Sequence, residues 1–259
     1  MLEIQPLRAF DDNYIWVLSN PGSSQVVVVD PGDETPVLDW LKQTSSQLSA
    51  VLLTHHHYDH VGGVPELVQA FPGIPVFGPS KEKIRGLTHP LRETDRPEIS
   101  GLDADLRVLD VPGHTAGHIA YFGEGSLFCG DTLFAAGCGR VFDGTFEQLS
   151  RSLLRIADLP TDTQVYCAHE YTLDNLGFAR WVEPDNPDIA ARLDNERALR
   201  EEGRPTVPSR LATELQTNPF LRTRNPAVVA SAELKAGRKL ATPADVFTTL
   251  REWKDREYD

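Results

Sequence analysis

The chain has 259 residues, 40% hydrophobic and 24% charged, ordinary values for a globular protein that exclude a disordered, collagenous or fibrous one. With 38 acidic against 25 basic side chains the formal charge is −13, which makes the chain a poor electrostatic partner for nucleic acid or anionic lipid. The length suggests one large or two modest domains, and no apolar stretch approaches the ~18 residues of a membrane span.

Taken in chain order, apolar runs rich in β-branched and aromatic residues predict strands over 14–18, 25–29, 50–53, 106–111, 119–122, 127–129 and 164–167. Short helices are predicted between them at 35–44 and 64–71. A clearer one covers 146–157, with Leu149, Leu153, Leu154 and Ala157 on one face. Strands and helices mix without strict alternation, which disfavours a plain doubly wound parallel sheet and fits two sheets with helices outside. After residue 172 strand signals nearly vanish. Helices are predicted at 173–182 and 189–201, followed by a stretch punctuated by Pro205, Pro208, Pro219 and Pro226. The last helix has Thr242 as N-cap, Pro243 in its first position and Asp245 in its first turn, and runs to Tyr258. The expected organisation is therefore 1–172 and 173–259. Charge divides there too, at −12 for the first part and −1 for the second. The N-terminus lacks the basic-then-apolar pattern of a signal peptide. Three cysteines, Cys129, Cys138 and Cys167, are too few for a disulfide framework and point to a reducing, cytoplasmic location.

Seven of the eight histidines fall in three segments beside predicted strands: 55–60, 114–118 and 169. A fourth strand end, Cys129-Gly130-Asp131, closes on a carboxylate. Imidazoles and carboxylates from several strand ends make a site for a borderline-hard metal. In Thr54-His55-His56-His57-Tyr58-Asp59-His60 the alternation of an extended chain places His55 and His57 on one side. One metal can take that pair and a second the Asp59–His60 pair. This is not the helical H-E-x-x-H arrangement.

These segments resemble a known family. The run 54–60 is similar to the signature of the metallo-β-lactamase superfamily. Gly130-Asp131-Thr132-Leu133-Phe134, Gly137-Cys138-Gly139-Arg140, Cys167-Ala168-His169-Glu170-Tyr171-Thr172 and Asn218-Pro219-Phe220-Leu221-Arg222 resemble glyoxalase II, the hydroxyacylglutathione hydrolases. The resemblance runs from Asp11-Asp12-Asn13-Tyr14 to Lys254. It implies an α/β (α+β) chain: an αββα sandwich carrying the metals, then a small C-terminal helical domain that binds glutathione. It implies two divalent ions, one on His55, His57 and His114, the other on Asp59, His60 and His169, with Asp131 bridging. Zinc is the default, and iron and manganese suit the same ligands. His56 and His118 match positions that do not touch metal, and His89 matches nothing. Asp30, after a valine run, is either an acceptor orienting a ligand histidine or an ordinary turn residue. Tyr171, Arg251 and Lys254 match glutathione-binding positions. Arg140, nine residues after Asp131 on the loop leaving the site, is a further candidate cation for the substrate, and Phe142 stands where some members have a tyrosine.

Two metals sharing a carboxylate can also share a water and present hydroxide to a carbonyl at neutral pH. A thioester suits such a site because its thiolate departs with little help from a general acid. The implied activity is hydrolysis of S-D-lactoylglutathione and related S-(2-hydroxyacyl)glutathiones, the second step of methylglyoxal detoxification, by a monomeric protein with no nucleic-acid or membrane partner. Asp59 and Asp131 are the carboxylates on which it depends. Alternatives are a persulfide dioxygenase-like or other hydrolase of the same fold, a nuclease, which the acidic charge disfavours, and a non-enzymatic metal store.

Overall fold

The computed structural model describes residues 2–258. In chain order its elements begin β1 (Glu3–Ala9), β2 (Asn13–Ser19), β3 (Gln25–Val29), α1 (Glu34–Thr44), β4 (Gln47–Leu52), α2 (Tyr58–Val61), α3 (Val64–Ala70), β5 (Val76–Pro79), β6 (His89–Leu91), β7 (Arg107–Asp110), β8 (Ile119–Gly123) and β9 (Ser126–Gly130). They continue with β10 (Leu133–Phe134), β11 (Gly137–Cys138), α4 (Phe146–Ala157), β12 (Gln164–Cys167), α5 (Thr172–Val182), α6 (Pro187–Glu201), β13 (Ser209–Arg210), α7 (Leu211–Thr217), α8 (Pro226–Ala236) and α9 (Pro243–Glu257). The chain divides into two compact units, one of residues 1–110 and 115–130, the other of 111–114 and 131–259.

In the first unit β1 to β6 lie side by side in sequence order. The first three strands are antiparallel and β3 to β6 are parallel. The four valines of β3 are all buried, as expected of a parallel strand covered on both faces. Val26 and Val28 pack with Val37 and Leu41 of α1 and Val64 and Leu67 of α3 in one core. The side chain of Asp33 caps α1 by accepting from Thr35 N at 2.8 Å. The carboxyl ends of β3 and β4 release the chain at Asp30 and Thr54, where parallel sheets present their functional loops. β7, β8 and β9 form an antiparallel run.

Strands β1, β5 and β6 are absent from the sequence prediction. β1 is a sheet edge with an exposed, broken pattern and Pro6 at its centre, a residue that only an edge tolerates. β5 and β6 contain Gly78, Pro79 and Pro90, which read locally as turns. They become strands by pairing in parallel register, β5 with β4 and β6 with β5.

In the second unit β10 and β11 make a hairpin, β12 pairs with β13, and helices make up most of the rest. The limits predicted for α4 are those observed. Its capping box joins Thr145 and Gln148. α4 packs on α9, α5 on α6, and α8 on α9. α7 and α8 are further additions to the predicted elements. α8 carries ordinary boundary signals, Asn225 as N-cap, Pro226 in its first turn and Gly237 at its C-cap, but they sit inside a stretch dominated by proline. No helix of the described residues is long and apolar enough to cross a membrane.

Candidate metal centre

The first unit supplies four donors from one segment. Beyond β4 the chain is anchored by the buried Tyr121 hydroxyl, which donates to the Leu53 carbonyl at 2.9 Å; burial drives that phenol's pKa up. Thr54 donates to Asp30 twice, from its amide at 2.8 Å and from its hydroxyl at 2.7 Å. With the hydroxyl proton so committed, Thr54 Oγ1 is the acceptor for Nδ1 of His55 at 3.1 Å. His60 Nδ1 lies 3.0 Å from Asp30 Oδ2. Each bond fixes a tautomer in which Nδ1 carries the proton and Nε2 the lone pair that a metal could take. Asp30 is therefore an orienting acceptor, its oxygens occupied by Thr54 and His60, and it holds a backbone φ of 52° to do so. His55 and His60 are buried, and their ring centroids are 4.0 Å apart. His55 Nε2 lies 3.1 Å from His57 Nδ1, and Asp59 Oδ2 lies 3.4 Å from His60 Nε2. Asn13, within the first quoted motif but given no role from sequence, steadies Asp59 by donating to Oδ2 at 3.0 Å.

The second unit supplies three donors, two imidazoles around one carboxylate. Asp131 Oδ2 lies 3.5 Å from His114 Nε2 and 3.4 Å from His169 Nε2; all three residues are buried. His114 Nδ1 donates to the Arg140 carbonyl at 2.7 Å. Gly113, just before it, has φ +145°, and a Cβ there would sit 2.3 Å from Leu149, so only glycine brings His114 this close to α4. Tyr171 stacks on His169 with centroids 4.8 Å apart and an 8° tilt.

These donors fit a metal by composition and by spacing. Imidazole nitrogen and carboxylate oxygen, buried or half-buried, are the donors divalent zinc, iron and manganese accept. Ligands at ~2.0–2.1 Å from a tetrahedral ion stand ~3.3 Å from each other, and the four separations above run from 3.1 to 3.5 Å.

Of the expected substrate-binding residues, Arg140 is exposed, with Nε 3.8 Å from Asp255 Oδ1, and Tyr171 is half-buried. Arg251 is 1% exposed. It donates to the Cys138 carbonyl at 3.0 Å, pairs with Asp255 at 2.9 Å and lies over the Phe220 ring. Lys254 is buried, with Nζ 5.7 Å from the Tyr258 ring centroid. Phe142 is exposed and meets His114 edge-on. Burial pushes the Cys138 thiol up to about 11 and the Cys167 thiol up to about 12, so neither is a nucleophile at neutral pH.

A buried network that sequence reasoning missed fixes the segment between Asp131 and Arg140. Glu214, fully buried, accepts from Arg192 at 2.7 Å and from the Ala136 amide at 2.8 Å. Asn218 donates to the Gly137 carbonyl at 2.9 Å and Asn175 to that of Ala135 at 3.1 Å. Asn218 lies in a quoted motif; nothing local distinguishes Glu214 from a solvated helix residue.

Residues 9–169 match the metallo-β-lactamase superfamily model. Its fold recurs in the crystal structure of ETHE1 from Myxococcus xanthus, 21% identical with a TM-score of 0.67 over 100% of this chain and 93% of that one. It recurs also in TTHA1623 in a di-iron-bound form, 26% identical with a TM-score of 0.58 over 84% and 99%. The chain is a metallo-β-lactamase-fold protein, an αββα sandwich with a C-terminal helical domain. Residues 170–257 match the model for the hydroxyacylglutathione hydrolase C-terminus. Proteins named hydroxyacylglutathione hydrolase are 54% identical in Nitrosomonas europaea, over 98% of this chain and 96% of that one, and 55% identical in Alkalilimnicola ehrlichii, over 99% and 100%. The chain belongs to the hydroxyacylglutathione hydrolase family, and it is an enzyme.

Proposed function

We propose that this enzyme hydrolyses S-D-lactoylglutathione and related S-(2-hydroxyacyl)glutathiones to glutathione and a 2-hydroxy acid, the second step of methylglyoxal detoxification. His55, His57 and His114 would hold one divalent ion, Asp59, His60 and His169 a second, and Asp131 both. The observation that carries the reading is the set of four donor separations near the edge length of a metal's coordination shell in a chain so similar to named hydroxyacylglutathione hydrolases. When bound, such a pair supplies ionised water near neutral pH and a Lewis acid for the thioester carbonyl. Zinc is the default occupant, with iron, as in the di-iron form of TTHA1623, and manganese as alternatives.

The protein's own residues do the remainder. Asp30 and the Arg140 carbonyl hold His60 and His114 in the ligating tautomer. Asn13 holds Asp59. Residues 1–172 form the catalytic part, and 173–259 the helical part that recognises glutathione. Arg140, Tyr171 and Lys254 meet the peptide and its two carboxylates, and Arg251 supports them. The thiolate leaves without a protein acid, because its parent thiol, with a pKa of ~8.5, is acidic enough to depart unaided. We place the enzyme in the cytoplasm as a monomer, on the evidence of three buried thiols and of a small anionic substrate that one chain can recognise.

The test is thiol release from S-D-lactoylglutathione by protein whose metal content is measured on the same sample. Two metals per chain and turnover support the reading. A fully metallated sample that leaves the thioester intact, or that consumes oxygen with a glutathione persulfide instead, overturns it. Asp131→Ala removes the shared ligand and is expected to abolish turnover; near-normal turnover in that variant would refute the bridging role.

A further inference from the structure

Glu82 lies between β5 and β6, in a loop that no motif singled out. Its carboxylate is 3% exposed. One oxygen accepts from His56 Nδ1 at 2.8 Å. The other accepts from the Thr115 hydroxyl and from the Gly117 amide at 3.2 Å. The loop itself is tied down next door, where Lys81 pairs with Asp110 of β7. Gly117 is shaped to this contact, because a Cβ there would fall 2.5 Å from Glu82 Cγ.

One buried carboxylate thus joins two segments distant in sequence. His56 sits between His55 and His57. Thr115 directly follows His114. We propose that Glu82 is a positioning residue for the metal centre: through His56 and the 115–117 backbone it fixes the segments that present His55, His57 and His114. Acting through backbone, it differs from Asp30, which bonds to a ligand ring directly. The inference rests on the metal reading above. The physical reason is that a metal bond needs its donor placed within a few tenths of an ångström, and a short loop of three consecutive histidines has no ladder of its own to hold it.

The test is competition for zinc between the protein and a chromophoric chelator, with thermal unfolding of the metal-free protein alongside. Wild type is expected to hold two zinc ions. Glu82→Ala is expected to bind the more weakly held ion about 10- to 100-fold less tightly and to lose kcat more than KM. Glu82→Gln, whose amide can still accept from Thr115 and donate to His56, is expected to stay within about threefold of wild type. His56→Ala and Thr115→Val each remove one arm of the tether and are expected to fall between. A folded Glu82→Ala that keeps wild-type zinc affinity and only melts earlier overturns the proposal and makes Glu82 structural. Should that variant fail to fold, wild-type zinc affinity in both His56→Ala and Thr115→Val overturns it equally. Wild-type protein that takes up no zinc sinks the metal reading itself, an outcome distinct from the others.

Discussion

Single residues decide which way the donors face. Of the proposed ligand histidines, His55, His60, His114 and His169 are buried and His57 is half-buried. The sharpest consequence concerns Arg251 and Lys254. The resemblance gives both to glutathione, yet Arg251 also holds the Cys138 carbonyl and Asp255. Lys254→Ala is expected to raise KM several-fold with little change in kcat, because it removes a contact remote from the carbonyl. Arg251→Ala is expected to lower stability as well, by about 2–3 kcal/mol, the scale for a lost hydrogen-bonded charge. Steady-state kinetics with denaturant melts separates the two; equal stability for both variants would remove Arg251 from its structural role. The cysteines give a second prediction. With thiols pushed up to about 11 and about 12, Cys138 and Cys167 are expected to resist iodoacetamide at pH 7.5 until the protein is unfolded. Rapid labelling of native protein, with loss of activity, would show a thiol more accessible and more ionised than the structure gives it.

At the scale of elements, caps and edges separate what was legible from what was not. α4 and α9 are bounded by capping boxes, Thr145 with Gln148 and Thr242 with Asp245, and sequence alone located both. The Thr242 hydroxyl and amide bonds hold the Asp245 carboxyl below its ordinary value. A depressed carboxylate contributes stability that is fully present above the ordinary aspartate range near ~4 and is lost as pH falls through its lowered value. Asp245→Ala is accordingly expected to melt earlier than wild type at pH 7, with the gap closing towards pH 2.5. A gap independent of pH would mean that the ionised carboxylate contributes nothing. β1 escaped prediction because its exposed edge pattern is broken by Pro6, and β5 and β6 because Gly78, Pro79 and Pro90 mask them and β5 finds its partner β4 some 25 residues earlier. Asn13, Glu82, Glu214 and Asn175 escaped for a similar reason: each acts through a contact 26 or more residues away.

For the whole molecule, the balance of charge and metal carries the argument. A chain of this length buries enough surface to fold without an ion, so metal removal is expected to lower its melting temperature without erasing its far-UV circular dichroism. The loss follows from linkage, since ions that bind only the folded state stabilise it by mass action. An unchanged melt after exhaustive chelation would mean that the folded chain binds no metal. The formal charge of −13 is concentrated in residues 1–172, where Asp59 and Asp131 lie. Two divalent ions would offset part of it, and an acidic protein can still present cations to an anionic substrate.

The sequence by itself determined the family, the class of chemistry and the donor types. Those are carried by short contiguous runs, in which residue identity and spacing are the whole signal. Tertiary structure decided the rest: that the Asp30 carboxylate meets Thr54 and His60, that Arg251 is buried against the Cys138 carbonyl, and that Glu82 ties the histidine run to the 115–117 loop. Each depends on which distant groups share a buried volume. Burial makes such a polar group costly unless it is hydrogen-bonded, and it is the fold, not the spacing along the chain, that supplies the partner.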